Sequence, residues 1–185
     1  MESLDIAIFH FLNQCAHISP LLDGVILFFA EYYVGIIVLV FLINIYTMQK
    51  SKKDRFKILL FTLGITGIAR FGVMSIIHIW VQRLRPFLEL GTPHLFIVNS
   101  FSFPSGHTTF VFALATVSWY YHQKMSYFIY ASGLCIGIAR IMAGVHYPSD
   151  IIGGVVVGIV SAYILVFLAQ KIFGTHTNIT KHKRS

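Results

Sequence analysis

Three short stretches of the chain hold side chains that together could cut a phosphate ester or anhydride: His78…Arg85-Pro86, Pro104-Ser105-Gly106-His107 and Arg140…His146…Asp150. Arginine presents a planar fork of donors that matches phosphate oxygens two at a time. Histidine titrates near neutrality, so it can attack, or take and return a proton. His146 and Asp150 are four residues apart around Pro148, a spacing that can set a carboxylate against the imidazole. A carboxylate on one ring nitrogen fixes the tautomer and strengthens the other nitrogen as nucleophile or base. Proline at residue 104 favours a helix start. Such a start offers free backbone N–H groups and a positive dipole end to an anion, with Gly106 allowing close approach, Ser105 adding a hydroxyl and His107 a titratable ring. The set contains no group of carboxylates to hold a metal, so the expected chemistry is free of metal and cofactor.

Each stretch sits at the end of a long apolar segment, and those segments must position it. The chain of 185 residues is 56% hydrophobic and 11% charged, with a mean hydropathy of +0.75. A soluble domain would carry about 25% charge, and the apolar residues form long runs, so the main solvent is lipid. Five spans are read at about 21–46, 58–80, 104–121, 127–145 and 151–173, the third the shortest. Residues 4–16 read as a short interfacial helix. The expectation is a single all-α domain over 1–185, a polytopic membrane bundle of about five transmembrane helices plus the N-terminal helix, ending in a basic tail at about 174–185. Two GxxxG spacings, Gly133/Gly137 and Gly154/Gly158, mark close helix packing. The acidic start lacks the basic region of a cleavable signal peptide. Cys15 and Cys135 have no CxxC partner, which argues against zinc or a disulfide framework.

The net charge of +7 does not point to nucleic acid, because the basic residues cluster at segment ends. Lys50, Lys52, Lys53, Arg55 and Lys57 follow the first span, Lys124 follows the third, and Lys171, Lys181, Lys183 and Arg184 close the chain. Five spans put these on one side and leave only four of the fourteen lysines and arginines elsewhere. That side is expected to be cytoplasmic, with the three motifs on the extracytoplasmic face of the plasma (inner) membrane. The Asn178-Ile179-Thr180 triplet then falls in the cytoplasmic tail, where a glycosylation match is chance.

The motifs together resemble the type 2 phosphatidic acid phosphatase superfamily of membrane lipid phosphatases. That family's pattern is Lys, six residues, Arg-Pro; then Pro-Ser-Gly-His; then Ser-Arg, five residues, His, three residues, Asp. Arg85-Pro86, the whole of 104–107, and Arg140, His146 and Asp150 match it in spacing. His78 stands where the family has lysine, and Ala139 where it has serine. The resemblance implies that His146 attacks phosphorus and becomes a phosphohistidine, oriented by Asp150. His107 would protonate the leaving oxygen and then activate water. Arg85, Arg140, Ser105, the Ser105–Gly106 backbone and, as an auxiliary, His78 would hold the phosphate. The region Leu21-Leu22-Asp23…Glu31-Tyr32 is similar to bacterial undecaprenyl-diphosphate phosphatases. The implied substrate is therefore undecaprenyl diphosphate at the outer leaflet, with phosphatidylglycerophosphate, phosphatidate or lipid A phosphates as runners-up. A phosphotransferase, or a lipid-binding scaffold or transporter, are the rival classes.

Four further side chains carry expectations of their own. Arg83 is expected to snorkel to headgroups, and His94 to be a plain loop residue. Glu31 and Arg70 each fall about 15 Å below the outer surface by residue count. A lone charge there costs roughly 2.5–3.5 kcal/mol, so the two are expected to pair.

Overall fold

The computed structural model describes residues 3–173; the tail with Asn178, His176, His182 and its lysines lies outside the described residues. Helix α1 is Leu4–Asn13, begun by Ser3, whose hydroxyl accepts from the Ile6 N–H. Helix α2, Pro20–Thr47, starts with Pro20 in its first turn behind the Ser19 cap. Helix α3 is Lys52–Trp80. Ser51 and Asp54 cap it reciprocally, the Asp54 N–H donating to Ser51 Oγ and the Ser51 hydroxyl to Asp54 Oδ2. A single turn, α4, is Pro86–Glu89. Helices α5, Gly106–Trp119, α6, Gln123–Met142, and α7, Pro148–Phe173, complete the bundle. Among the described residues there is no strand.

Four of these helices, α2, α3, α6 and α7, are long and apolar enough to cross a membrane. The third expected span is not one of them. It forms α5, with 14 residues, about 21 Å of helix against a hydrocarbon core of roughly 30 Å. It can be short because its surroundings are protein. Its side chains from Thr108 to Ser118 are almost all buried, packed between α6, α7 and α3. The other helices wear their apolar residues outward: Leu39, Phe71, Trp80, Val156 and Tyr163 are all more than half exposed. A belt of that kind fits lipid as the outer solvent.

Both GxxxG spacings lie where helices touch. A Cβ at Gly154 would sit 2.8 Å from the Ser105 carbonyl oxygen, and one at Gly158 would sit 2.6 Å from the Thr109 carbonyl oxygen. Only glycine lets α7 lie this close to the start of α5. Helices α2 and α3 each contain one wider, π-helical turn, Phe28–Tyr32 and Ile68–Val73. Each carries a charged residue, Glu31 and Arg70. Such turns recur at functional sites.

Candidate active site

The 143–147 connection between α6 and α7, the first turn of α7, the start of α5 and the loop from 81 to 105 meet at one end of the bundle. The Ser105 N–H donates to the Asp150 carbonyl (3.0 Å), and the Leu95 N–H to the Ala143 carbonyl (3.1 Å). Helix α1 straps this end. Asn13 donates to the Pro93 and Met142 carbonyls, and Phe9 packs on Tyr147 with ring centroids 5.5 Å apart.

Asp150 is fully buried and heavily bonded. Its Oδ2 accepts from the Ser102 hydroxyl (2.5 Å) and the Tyr147 N–H (2.8 Å) and lies 3.4 Å from His146 Nδ1. Its Oδ1 accepts from Arg83 Nη1 (2.9 Å). On the far side of the imidazole, His146 Nε2 is 3.1 Å from Arg85 Nη1. A guanidinium can only donate, so Nε2 presents its lone pair and the ring proton sits on Nδ1, facing Asp150. Burial, with Arg140 and Arg85 adding to it against the opposing pull of Asp150, lowers the His146 pKa to about 3. The ring is therefore neutral at pH 7, the form a nucleophile needs.

All five N–H groups of Arg85 have partners: the carbonyls of Ser100, Val145 and Phe101, the Ser100 hydroxyl and His146 Nε2. Burial and the nearby charge of Arg140 push its pKa down to about 10, which leaves it charged at neutrality. A phosphate oxygen arriving here would compete for the Nη1–H that now rests on His146. Arg140 is 2% exposed, donates through Nη1 to the Ala30 carbonyl (2.7 Å) and Glu31 Oε2 (3.1 Å), and has a buried Nε–H with no partner. A buried donor left unmade is costly, and an anion would satisfy it. His107 lies near enough to interact electrostatically with Arg140, Arg70, His146 and Arg85.

Five features differ from the sequence reading. Glu31 pairs with Arg140, not with Arg70. Arg70 instead lies against Gly106, whose added Cβ would meet the guanidinium carbon at 2.5 Å. The residue count failed because α5 is short, so the Pro104–His107 start is recessed into the bundle to the depth of Arg70. Arg83 does not snorkel. It bridges Asp150, Asp5 (2.7 Å) and Ser149 (2.6 Å), with its guanidinium 4.0 Å over the Tyr147 ring, because two buried or half-buried carboxylates outbid headgroups. The Ser105 N–H is spent on the Asp150 carbonyl and cannot serve phosphate, although its buried hydroxyl, which accepts from Thr108 Oγ1, keeps its own proton to give. His78 Nε2 is 3.2 Å from the Pro104 carbonyl, so His78 steadies the loop behind the helix start. His94 stays in the loop, tilted against Phe87 at 4.7 Å.

Asp5 and Ser102 are the functional-site residues that sequence reasoning passes over. Asp5 accepts from the Ser149 N–H and hydroxyl and from Arg83. Burial works to raise its pKa, but those hydrogen bonds outweigh it and hold the carboxyl below its ordinary range. The only sequence signal was the rarity of carboxylates in the chain. Ser102, a serine beside a motif, gave none. Among the described residues no three His, Cys, Asp or Glu side chains gather as metal ligands.

The same geometry has a family. Residues 55–173, which contain all three motifs, match the model of the PAP2 superfamily. The chain belongs to the PAP2 superfamily. This PAP2 chain is 31% identical to the undecaprenyl-diphosphatase BcrC of Bacillus subtilis (strain 168), covering 85% of this chain and 80% of that protein. It is 26% identical to the bacitracin transport permease protein BcrC of Bacillus licheniformis, over 99% of this chain and 89% of the relative. The crystal structure of Aquifex aeolicus LpxE superposes on the PAP2 chain with a TM-score of 0.66 and 27% identity, over 90% of this chain and 96% of the other.

Proposed function

We propose that the protein hydrolyses undecaprenyl diphosphate to undecaprenyl phosphate at the extracytoplasmic face of the membrane, through a phosphohistidine on His146. The observation that carries this reading is the polarity of His146. A neutral ring has its proton turned to Asp150 and its lone pair turned to a guanidinium. In the first step Nε2 attacks the terminal phosphorus. The bond to the bridging oxygen breaks, and His107, charged once the bound diphosphate offsets the surrounding arginines, gives its proton to the departing lipid monophosphate and becomes neutral. In the second, His107 takes a proton from water, whose oxygen attacks the phosphohistidine and releases inorganic phosphate. Arg85, Arg140, the Ser105 hydroxyl and the Gly106 N–H hold the equatorial oxygens as charge redistributes. Every step is carried by side chains of this chain and by water. The B. subtilis relative named as an undecaprenyl-diphosphatase supports the substrate.

The transport wording in the name of the B. licheniformis relative favours a binding protein as the second reading. Binding alone would need the arginines but not an ordered nucleophile–carboxylate pair. Phosphate release from a panel of purified lipids in detergent separates the readings. Undecaprenyl diphosphate should give the highest kcat/KM, ahead of phosphatidylglycerophosphate, phosphatidate and lipid A 1-phosphate. Turnover quenched in denaturant at alkaline pH should trap an acid-labile, alkali-stable phosphohistidine that is lost in His146→Ala. Absence of release from every lipid would leave the binding reading, and a faster monoester would change the substrate.

A further inference from the structure

Arg70 is a cation in a membrane helix with no carboxylate partner among the described residues. Its only hydrogen bond there runs from Nη1 to the Met74 sulfur (3.1 Å), a weak acceptor. Its guanidinium also lies 5.3 Å from the Phe71 ring centroid. Neither contact offsets the cost of holding a full charge at this depth. What the guanidinium faces is the first turn of α5. A Cβ at Gly106 would come within 2.5 Å of its Cζ and 2.7 Å of its Nε and Nη2. That turn is itself positive, by its dipole and its unpaired N–H groups. Arg85, Arg140 and Arg70 thus converge on a helix N-terminus, and only Arg140 is neutralised by a carboxylate, Glu31. So much unbalanced positive charge in one recess fits a multiply charged anion. The wide turn Ile68–Val73 is where α3 delivers Arg70, and the wide turn Phe28–Tyr32 delivers Glu31 to Arg140 in the same way.

We propose that Arg70 is a third arginine ligand of the transferring phosphoryl group, a catalytic residue that supplies the cation this chain lacks at residue 78. The inference rests on the phosphatase reading above. His78 is spent on the Pro104 carbonyl through Nε2, two turns further along the same helix, so the charge has moved inward to residue 70. Gly106 then has a second reason to be glycine, since any side chain would displace the guanidinium from the anion site.

The test compares wild type, Arg70→Gln, Arg70→Met, His78→Lys and the two doubles that add His78→Lys to each Arg70 variant. The readouts are kcat/KM on undecaprenyl diphosphate, inhibition by inorganic vanadate, and melting in detergent with and without vanadate. Arg70→Gln and Arg70→Met should each lose about 10²–10³ in kcat/KM, the usual effect of removing one such donor. Both should weaken vanadate inhibition, while melting without vanadate holds or, for Met, rises. Adding His78→Lys should recover at least about tenfold in either background, a coupling expected only of residues that share a partner. Arg70→Met within threefold of wild type in both rate and vanadate inhibition would overturn the proposal. So would a loss that tracks melting alone, with vanadate inhibition unchanged. Wild type that neither releases phosphate nor responds to vanadate would instead overturn the phosphatase reading itself.

Discussion

His146 is held from both sides by groups of opposite sign, and the two contacts act on different properties. Asp150 at Nδ1 fixes the tautomer, while Arg85 at Nε2 occupies the lone pair, which a phosphate oxygen would have to free in the proposed reaction. Asp150 is itself fixed by Ser102, the Tyr147 N–H and Arg83, so the imidazole plane has little freedom to turn. Burial keeps the ring neutral, with its pKa lowered to about 3 against about 6.5 in an unfolded chain. The sign of the linkage follows. The folded state binds this proton less readily than the unfolded one, so its contribution to stability is present above about pH 6.5 and is lost progressively as pH falls toward 3. The loss amounts to about 1.4 kcal/mol per pH unit within that window. His146→Gln has no such group. Melting in detergent at pH 7.5 and pH 5.0 should therefore show wild type falling further than His146→Gln. Parallel decreases would mean that the ring titrates at its ordinary value.

Among the elements, α5 is the one the site depends on. Its first turn is the surface proposed to face the phosphate, and its position is set by α7 through two glycines. Gly154 meets the Ser105 carbonyl directly, so a methyl there pushes on backbone at the point where phosphate would bind. Gly154→Ala should lower kcat/KM by tenfold or more and destabilise by about 1–3 kcal/mol, the usual cost of overpacking. Gly35→Ala, in α2 with nothing within 4 Å of the new Cβ, should leave both unchanged or raise stability slightly. Assay and melting of the two proteins side by side check this. Equal effects would remove the α5–α7 crossing as the determinant. Helix α1 works on the same machinery from outside, since Asp5 reaches Ser149 and Arg83, and Arg83 reaches Asp150. An interfacial helix is thereby joined to the carboxylate that orients His146.

At the scale of the whole molecule, the helices alternate so that Lys50–Lys57, Lys124 and Lys171 fall at one end and the three motifs at the other. We propose, from the charge rule for short loops, that the basic end faces the cytoplasm and that the proposed substrate meets the site at the outer leaflet. Impermeant thiol labelling tests the orientation in a background lacking Cys15 and Cys135, the two native thiols. Gln82 and Lys53 are exposed at opposite ends and serve as the reporters. Gln82→Cys should label in intact cells and Lys53→Cys only after lysis. The reverse pattern would put the site inside.

The sequence by itself determined the solvent, the helical class, the boundaries of most spans to within a few residues, and the three motifs. Long apolar runs, proline and serine at helix starts and fixed motif spacings are local properties that a chain carries in one dimension. His146 beside Asp150 was legible for the same reason, because the pair lies within one turn. What the tertiary structure decided were partnerships across the bundle. Glu31 and Arg70 sit at matching depth on consecutive helices, yet Glu31 turns to Arg140 and Arg70 to Gly106. Arg83 turns to Asp5 and Asp150 rather than to headgroups. Counting residues measures depth along one helix but not which way its side chains face, and it assumed that every span starts at the surface. The short, enclosed α5 breaks that assumption. It begins inside the bundle, and so its first turn lies against an arginine that sequence spacing had paired with Glu31.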